Sequence, residues 1–170
     1  IPHRDRSFSK TALFLEMLGT WGLTYIGGMA CMNAAHPESQ SGMDLVGVAT
    51  THGVVLAIMV YCAGSISGSH FNPAVSLSML ISGHIGAIKM LWYWAAQLCG
   101  SLLGGLMIKI YHYTYTVGIG HFLEESSYPH LENPRNFNLF GYFMFEMIAT
   151  YFLVLVIYST AVNTTKPKTE

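Results

Sequence analysis

Charge is scarce in this chain: Asp, Glu, Lys and Arg make up 10% of its 170 residues, against 52% hydrophobic residues. Soluble domains carry about 25% charged residues, so the composition favours a membrane class. The net charge of -1 leaves no basic face for a nucleic acid. Cysteine is sparse too. Cys31, Cys62 and Cys99 show neither metal-ligand spacing nor a disulfide framework, and their apolar surroundings predict small buried side chains. The chain lacks a metal-binding set and a nucleophile–base pair, so neither a cofactor nor an enzyme is expected. Its first residue is Ile1 rather than methionine, and a fragment at the front end is expected.

The gaps between charges map the spans. Residues 17–37, 45–88, 90–108 and 147–165 carry none. A bilayer crossing needs about 20 apolar residues, and four are predicted, near 11–33, 45–65, 88–110 and 139–161. The first is too long for a signal peptide and has no small-residue cleavage site nearby. Between Asp44 and Lys89 there is room for one crossing and something shorter. The shorter piece is 73–82, PAVSLSMLIS, which opens on Pro73 and stops at Gly83. A ten-residue helix reaches about 15 Å, half the roughly 30 Å hydrocarbon core. It can only dip in and return. Irregular backbone at that depth must line a cavity or be buried in protein.

Basic residues agree with a re-entrant 73–82. Arg4, Arg6, Lys10, Lys89, Lys166 and Lys168 then share one face, with Lys109 and Arg135 opposite. A full crossing would even out the split. The positive-inside rule puts the N-terminus in the cytoplasm. Trp92–Trp94, Tyr111–Tyr115 and Phe137–Phe143 fall near span ends, where interfacial rings are common.

Two ionisable residues lie inside spans, Glu16 and Glu146, and their contexts match. Glu16-Met17-Leu18-Gly19-Thr20-Trp21-Gly22-Leu23 aligns with Glu146-Met147-Ile148-Ala149-Thr150-Tyr151-Phe152-Leu153. Glu, Met, Thr and Leu are identical, and both copies open a span. Three spans make an odd unit, which inverts when copied. The twin of the re-entrant turn would fall beyond Glu170, so the second repeat is represented by its first span.

The turn reads Gly64-Ser65-Ile66-Ser67-Gly68-Ser69-His70-Phe71-Asn72-Pro73-Ala74-Val75. Asn72 is placed to cap a helix starting at Pro73, its side-chain oxygen taking a first-turn N–H. Its amide N–H groups would then face the cavity. The half-helix dipole adds about half a positive charge at the same place. A donor with positive potential at mid-membrane orients water and repels cations, protons included. The backbone from Gly68 to Phe71 could offer carbonyls in succession to a single file of solute, with Gly68 free to adopt unusual conformations.

The run S-G-S-H-F-N-P-A-V resembles the first Asn-Pro-Ala loop of the aquaporin (major intrinsic protein) family. The Glu-bearing first and fourth spans, and Gln97 with Gly100 and Gly104 in the third, are similar to that family as well. The similarity covers roughly residues 11–162. It implies an all-α membrane channel of six spans and two half helices, usually a homotetramer with one pore per subunit. Four spans and one half helix are expected here. Residues 1–170 are read as a partial channel domain, with a first repeat about 11–112, a loop 113–138 and the second repeat's first helix about 139–161. The family's second-span filter residue lies 20 positions before the loop Asn, which is His52. Histidine there resembles the vacuolar-membrane type of plant aquaporin. Ser65 stands where the common G-H-I-S-G pattern has its first histidine, a departure that removes a hydrogen bond near the loop.

Each residue also has a plainer reading. Glu16 and Glu146, beside Gln97, are expected to brace re-entrant backbone N–H groups rather than relay protons. His70 is read as a loop brace, since no second ligand accompanies it, and His52 as pore-facing. Gly100-Ser101-Leu102-Leu103-Gly104 is a small-xxx-small motif, read as close helix packing. Asn163-Thr164-Thr165 fits a glycosylation sequon on the cytoplasmic side, so no modification is expected. The expected function is a passive channel for water, with ammonia, urea, glycerol and peroxide as further solutes. Asn72, Pro73, Ala74, His52, Gly68, Ser69, His70 and Phe71 would line it. It would lie in a plasma or vacuolar membrane. The alternative is a non-conducting structural subunit that has lost its second half.

Overall fold

The structure is a computed structural model and describes residues 9–35, 44–119 and 139–162. Five α-helices follow in order: α1 Lys10–Ala35, α2 Leu45–Ala63, α3 Pro73–Ile81, α4 Ala87–Ile119 and α5 Leu139–Ile157. The last runs into a π-helical turn at Tyr158–Val162. The chain falls into two compact units, α1 to α4 in the first and α5 in the second.

Leu45–Ala63, Ala87–Tyr111 and Phe143–Thr160 are long and apolar enough to cross a membrane. α1 has the length, 26 residues, but its apolarity is diluted by Glu16 and Thr20, both buried inside the first unit. The protein is an all-α membrane protein with one short helix, α3, among the long ones. Asp44 caps α2 by accepting the Gly47 N–H at 2.8 Å. α3 ends where Gly83 turns left-handed, at φ +81°.

Burial is inverted relative to a soluble domain. Tyr93, Gln97, Glu16, Val75 and Ser76 are the largest fully buried side chains, while Leu45, Tyr61, Ile81, Ile88 and Leu102 are exposed. Hydrocarbon offers no hydrogen bonds, so polar groups must satisfy one another inside. The cysteines follow the same inversion: Cys31, Cys62 and Cys99 are exposed, not buried as their surroundings suggested. Apolar neighbours mark a lipid-facing side as readily as a core.

α4 packs chiefly on α1, and α1 also carries α2. The approach of α4 to α1 is close because glycine allows it. A Cβ on Gly100 would land on the Met17 carbonyl, and one on Gly104 would come within 3.1 Å of the Trp21 carbonyl oxygen. The small-xxx-small motif is therefore an internal contact. Gly100→Leu in the full-length protein is expected to cost about 3 kcal/mol by overpacking, with a matching fall in membrane yield. Gly105→Leu, whose Cβ meets nothing within 4 Å, should express normally. Equal yields from the two variants would overturn the packing assignment.

α4 also continues to Ile119, into the stretch expected as loop from 113. No proline interrupts it, and after Gly105 the next glycine is Gly118, so nothing stops the helix sooner. The rest of that loop, the Asn163 sequon, and Arg4, Arg6, Arg135, Lys166 and Lys168 lie outside the described residues.

Candidate functional site

The chain leaves α2 at Ala63 and re-enters helix at Pro73. Between them Gly68, Ser69 and Phe71 all lie in the left-handed region, at φ +88°, +51° and +47°. Glycine takes this region freely, but Ser69 and Phe71 each cost about 1–3 kcal/mol there and persist only if held. Glu16 of α1 does most of the holding. One carboxylate oxygen accepts the His70 N–H at 2.9 Å and the other the Phe71 N–H at 2.7 Å. The Thr20 hydroxyl donates to the Glu16 carbonyl at 2.8 Å and lies 3.3 Å from the Phe71 carbonyl. From α4, the Tyr93 hydroxyl donates to the Ser67 carbonyl at 2.7 Å. Inside the turn, the Ser69 N–H donates to Ser67 Oγ at 2.9 Å.

A polar core lies behind this backbone. Gln97 Nε2 donates to the Glu16 carboxylate at 2.9 Å and to Ser76 Oγ at 3.1 Å. Ser76 Oγ also meets His70 Nδ1 at 3.0 Å, and the His70 ring stands edge-on to Tyr93 with centroids 5.1 Å apart. Glu16 thus receives three N–H donors, which offset much of the cost of burying a carboxylate. Gln97 Oε1 is buried and takes no partner among the described residues. Turning the amide over would set that oxygen against the Glu16 carboxylate, so the orientation stands.

Asn72 sits where the turn becomes α3. Its backbone is extended, at φ −150° and ψ 129°, and its Oδ1 accepts the Ala74 N–H at 2.8 Å. Capping uses the oxygen and leaves the amide Nδ2 without a partner among the described residues. The Trp94 indole donates to the Pro73 carbonyl at 2.9 Å, tying the start of α3 to α4. The carbonyls of Gly68, Ser69 and His70 likewise accept nothing from the described residues. Along the chain, three carbonyls without a partner among the described residues therefore precede an amide donor without one, at the positive end of a half helix.

Other predicted site residues stand apart. His52, on α2, is exposed, and its Nδ1 lies 2.9 Å from the Val48 carbonyl. A carbonyl only accepts, so Nδ1 carries a proton there, and Nε2 is the ring nitrogen left for another partner. The ring lies over Gly27 of α1, in the space a Cβ would take. Glu146, on α5, is exposed, and its carboxylate takes no hydrogen bond from the described residues. Among the described residues no group of three His, Cys, Asp or Glu could hold a metal.

Sequence reasoning missed Thr20, Ser76, Tyr93 and Trp94. Two signals were available. Thr20 is one of the identical residues of the repeated octapeptide, and Tyr93 lies one helical turn before Gln97 on the same face.

The sequence profile of the family described as Major intrinsic protein matches residues 4–169. The chain belongs to the major intrinsic protein family. Aquaporin Z of Brucella melitensis is 33% identical, over 85% of this chain and 63% of that protein. Probable aquaporin TIP3-2 of Arabidopsis thaliana is 35% identical, over 91% and 57%. Aquaporin A of Dictyostelium discoideum is 33% identical, over 88% and 50%. The chain therefore spans 50–63% of the length of these family members.

Proposed function

We propose that this chain is the front part of a passive membrane channel that conducts water, and small neutral solutes such as ammonia, urea, glycerol or peroxide. The observation that carries the reading is the run of carbonyls at Gly68, Ser69 and His70, ending at the Asn72 amide, none of which has a partner among the described residues. Water entering such a run donates to each carbonyl in turn and then accepts from Asn72, which reverses its orientation. Reversal together with the half-helix field breaks a proton-conducting file and opposes cations. His70 serves through its carbonyl and Phe71 by holding the turn in place, since both side chains are buried in the brace. Pro73 and Ala74 set the half-helix entrance, and His52 lines a wider part of the path. The relatives named as aquaporins support water as the solute.

A family pore uses two such turns. In this reading residues 11–112 are the first repeat and α5 opens the second, bringing Glu146 to a second turn as Glu16 serves the first. The assembly is a homotetramer in a plasma or vacuolar membrane, with its N-terminus in the cytoplasm. The test is stopped-flow osmotic shrinkage of vesicles that carry the full-length protein. Shrinkage well above the lipid rate is expected, without proton leak. A rate equal to bare lipid would overturn the channel reading and leave the non-conducting subunit.

His52 gives a narrower test. Its ring is polar, and its Nε2 can hydrogen-bond to a solute. His52→Phe in the full-length protein is expected to lower ammonia and urea permeability more than water permeability, at normal membrane yield. Equal losses of all three would assign His52 to packing against Gly27 instead.

A further inference from the structure

We propose that Gly19 is a positioning residue for conduction: it forms a matched pair with Phe71, and the seat it gives the Phe71 ring fixes where Asn72 stands. The inference rests on the channel reading above and adds a residue to it. Phe71 is the residue before Asn72, so whatever locates one locates the other. α1 grips Phe71 at three points along one helical face. Glu16 accepts its N–H, Thr20 faces its carbonyl, and Gly19 receives its ring. A Cβ at position 19 would overlap the ring edge, with Cζ only 2.7 Å away. Phe71 is 4% exposed, and its backbone is pinned in the left-handed region at φ +47°. An added methyl group cannot be absorbed by a side-chain swing. The displacement passes into the turn.

Three further observations separate this role from an ordinary helix glycine. Glycine inside a helix is less stable than alanine, so Gly19 needs a reason to be there. The matching place in the octapeptide's second copy is Ala149, in α5, so the helical motif itself does not require glycine. Gly22, three residues on in α1, faces open space: a Cβ there would meet nothing within 4 Å. It serves as an internal control.

The experiment uses the full-length protein in vesicles, comparing wild type with Gly19→Ala, Gly22→Ala, Phe71→Leu and the double variant Gly19→Ala with Phe71→Leu. Water permeability per assembled channel and membrane yield are both measured. Gly22→Ala should match wild type. Gly19→Ala should lose about tenfold in permeability per channel, because a group misplaced by about 1 Å loses most of its effect. Leucine is shorter than phenylalanine and leaves room for the methyl, so the double variant should recover most of the loss. If Gly19→Ala fails to assemble, recovery of yield in the double variant is the deciding readout. Gly19→Ala behaving like Gly22→Ala, or a double variant no better than Gly19→Ala, would overturn the pairing. Wild-type vesicles that shrink at the lipid rate would instead overturn the channel reading on which it rests.

Discussion

Glu16→Ala is expected to remove nearly all assembled protein from the membrane. The carboxylate holds the His70 and Phe71 N–H groups and one donor of Gln97. Alanine leaves all three without an acceptor in a buried site, and each orphaned group costs about 1–3 kcal/mol. The loss therefore exceeds about 3 kcal/mol, a large part of a typical stability. The turn would lose its main restraint at the same time, and Ser69 and Phe71 would leave the left-handed region. Glu16→Gln is the sharper probe. Its single oxygen can replace only one of the two carboxylate oxygens, so its NH2 would face either the His70 N–H or the Phe71 N–H together with the Gln97 NH2. An intermediate yield is expected, with thermal stability in detergent between wild type and Glu16→Ala. Wild-type yield and stability for both variants would show that the turn does not depend on this carboxylate.

That dependence was partly legible in the sequence. An ionisable residue within a span is costly enough to demand a partner, and the matching contexts of Glu16 and Glu146 placed both at corresponding positions. The short helix was legible too. Pro73 and Gly83 bound a segment half the length of a crossing, and the structure ends α3 at Ile81, just before that glycine turns left-handed. Asn72 read as a cap because capping is local chemistry, decided by a side chain and the two residues after it. What could not be read was the set of contacts between distant elements. Tyr93 to Ser67 and Thr20 to Phe71 depend on how α4 and α1 meet the turn. No period in the sequence encodes that meeting. The cysteines were misjudged for a related reason. Apolar surroundings in a membrane chain do not say which side of a helix faces lipid, and Cys31, Cys62 and Cys99 are exposed.

Asn72 is expected to show the largest change in selectivity, because one side chain does two separable things there. Its Oδ1 caps α3 at 2.8 Å from the Ala74 nitrogen, and in the proposed channel its amide donor would meet the solute. Asn72→Asp should keep the cap, since aspartate caps about as well as asparagine, so near-normal membrane yield is expected. The donor is replaced by a carboxyl group. In its charged form the group offsets the positive end of the half helix, worth about half an elementary charge, and the barrier to cations falls. In its neutral form the site still loses a donor and the orientation it imposed on water. Asn72→Ala removes cap and donor together. Loss of the cap costs about 1 kcal/mol, so yield should fall as well as selectivity. The measurement is membrane yield beside water flux and cation conductance, for both variants in the full-length protein. Aspartate should give normal yield with raised cation conductance or reduced water flux, and alanine reduced yield. If both variants assemble normally with wild-type flux and cation exclusion, Asn72 does not face the solute path. The open carbonyls at Gly68, Ser69 and His70 would then lead to no donor, and the mechanism that reverses water there would fail with them.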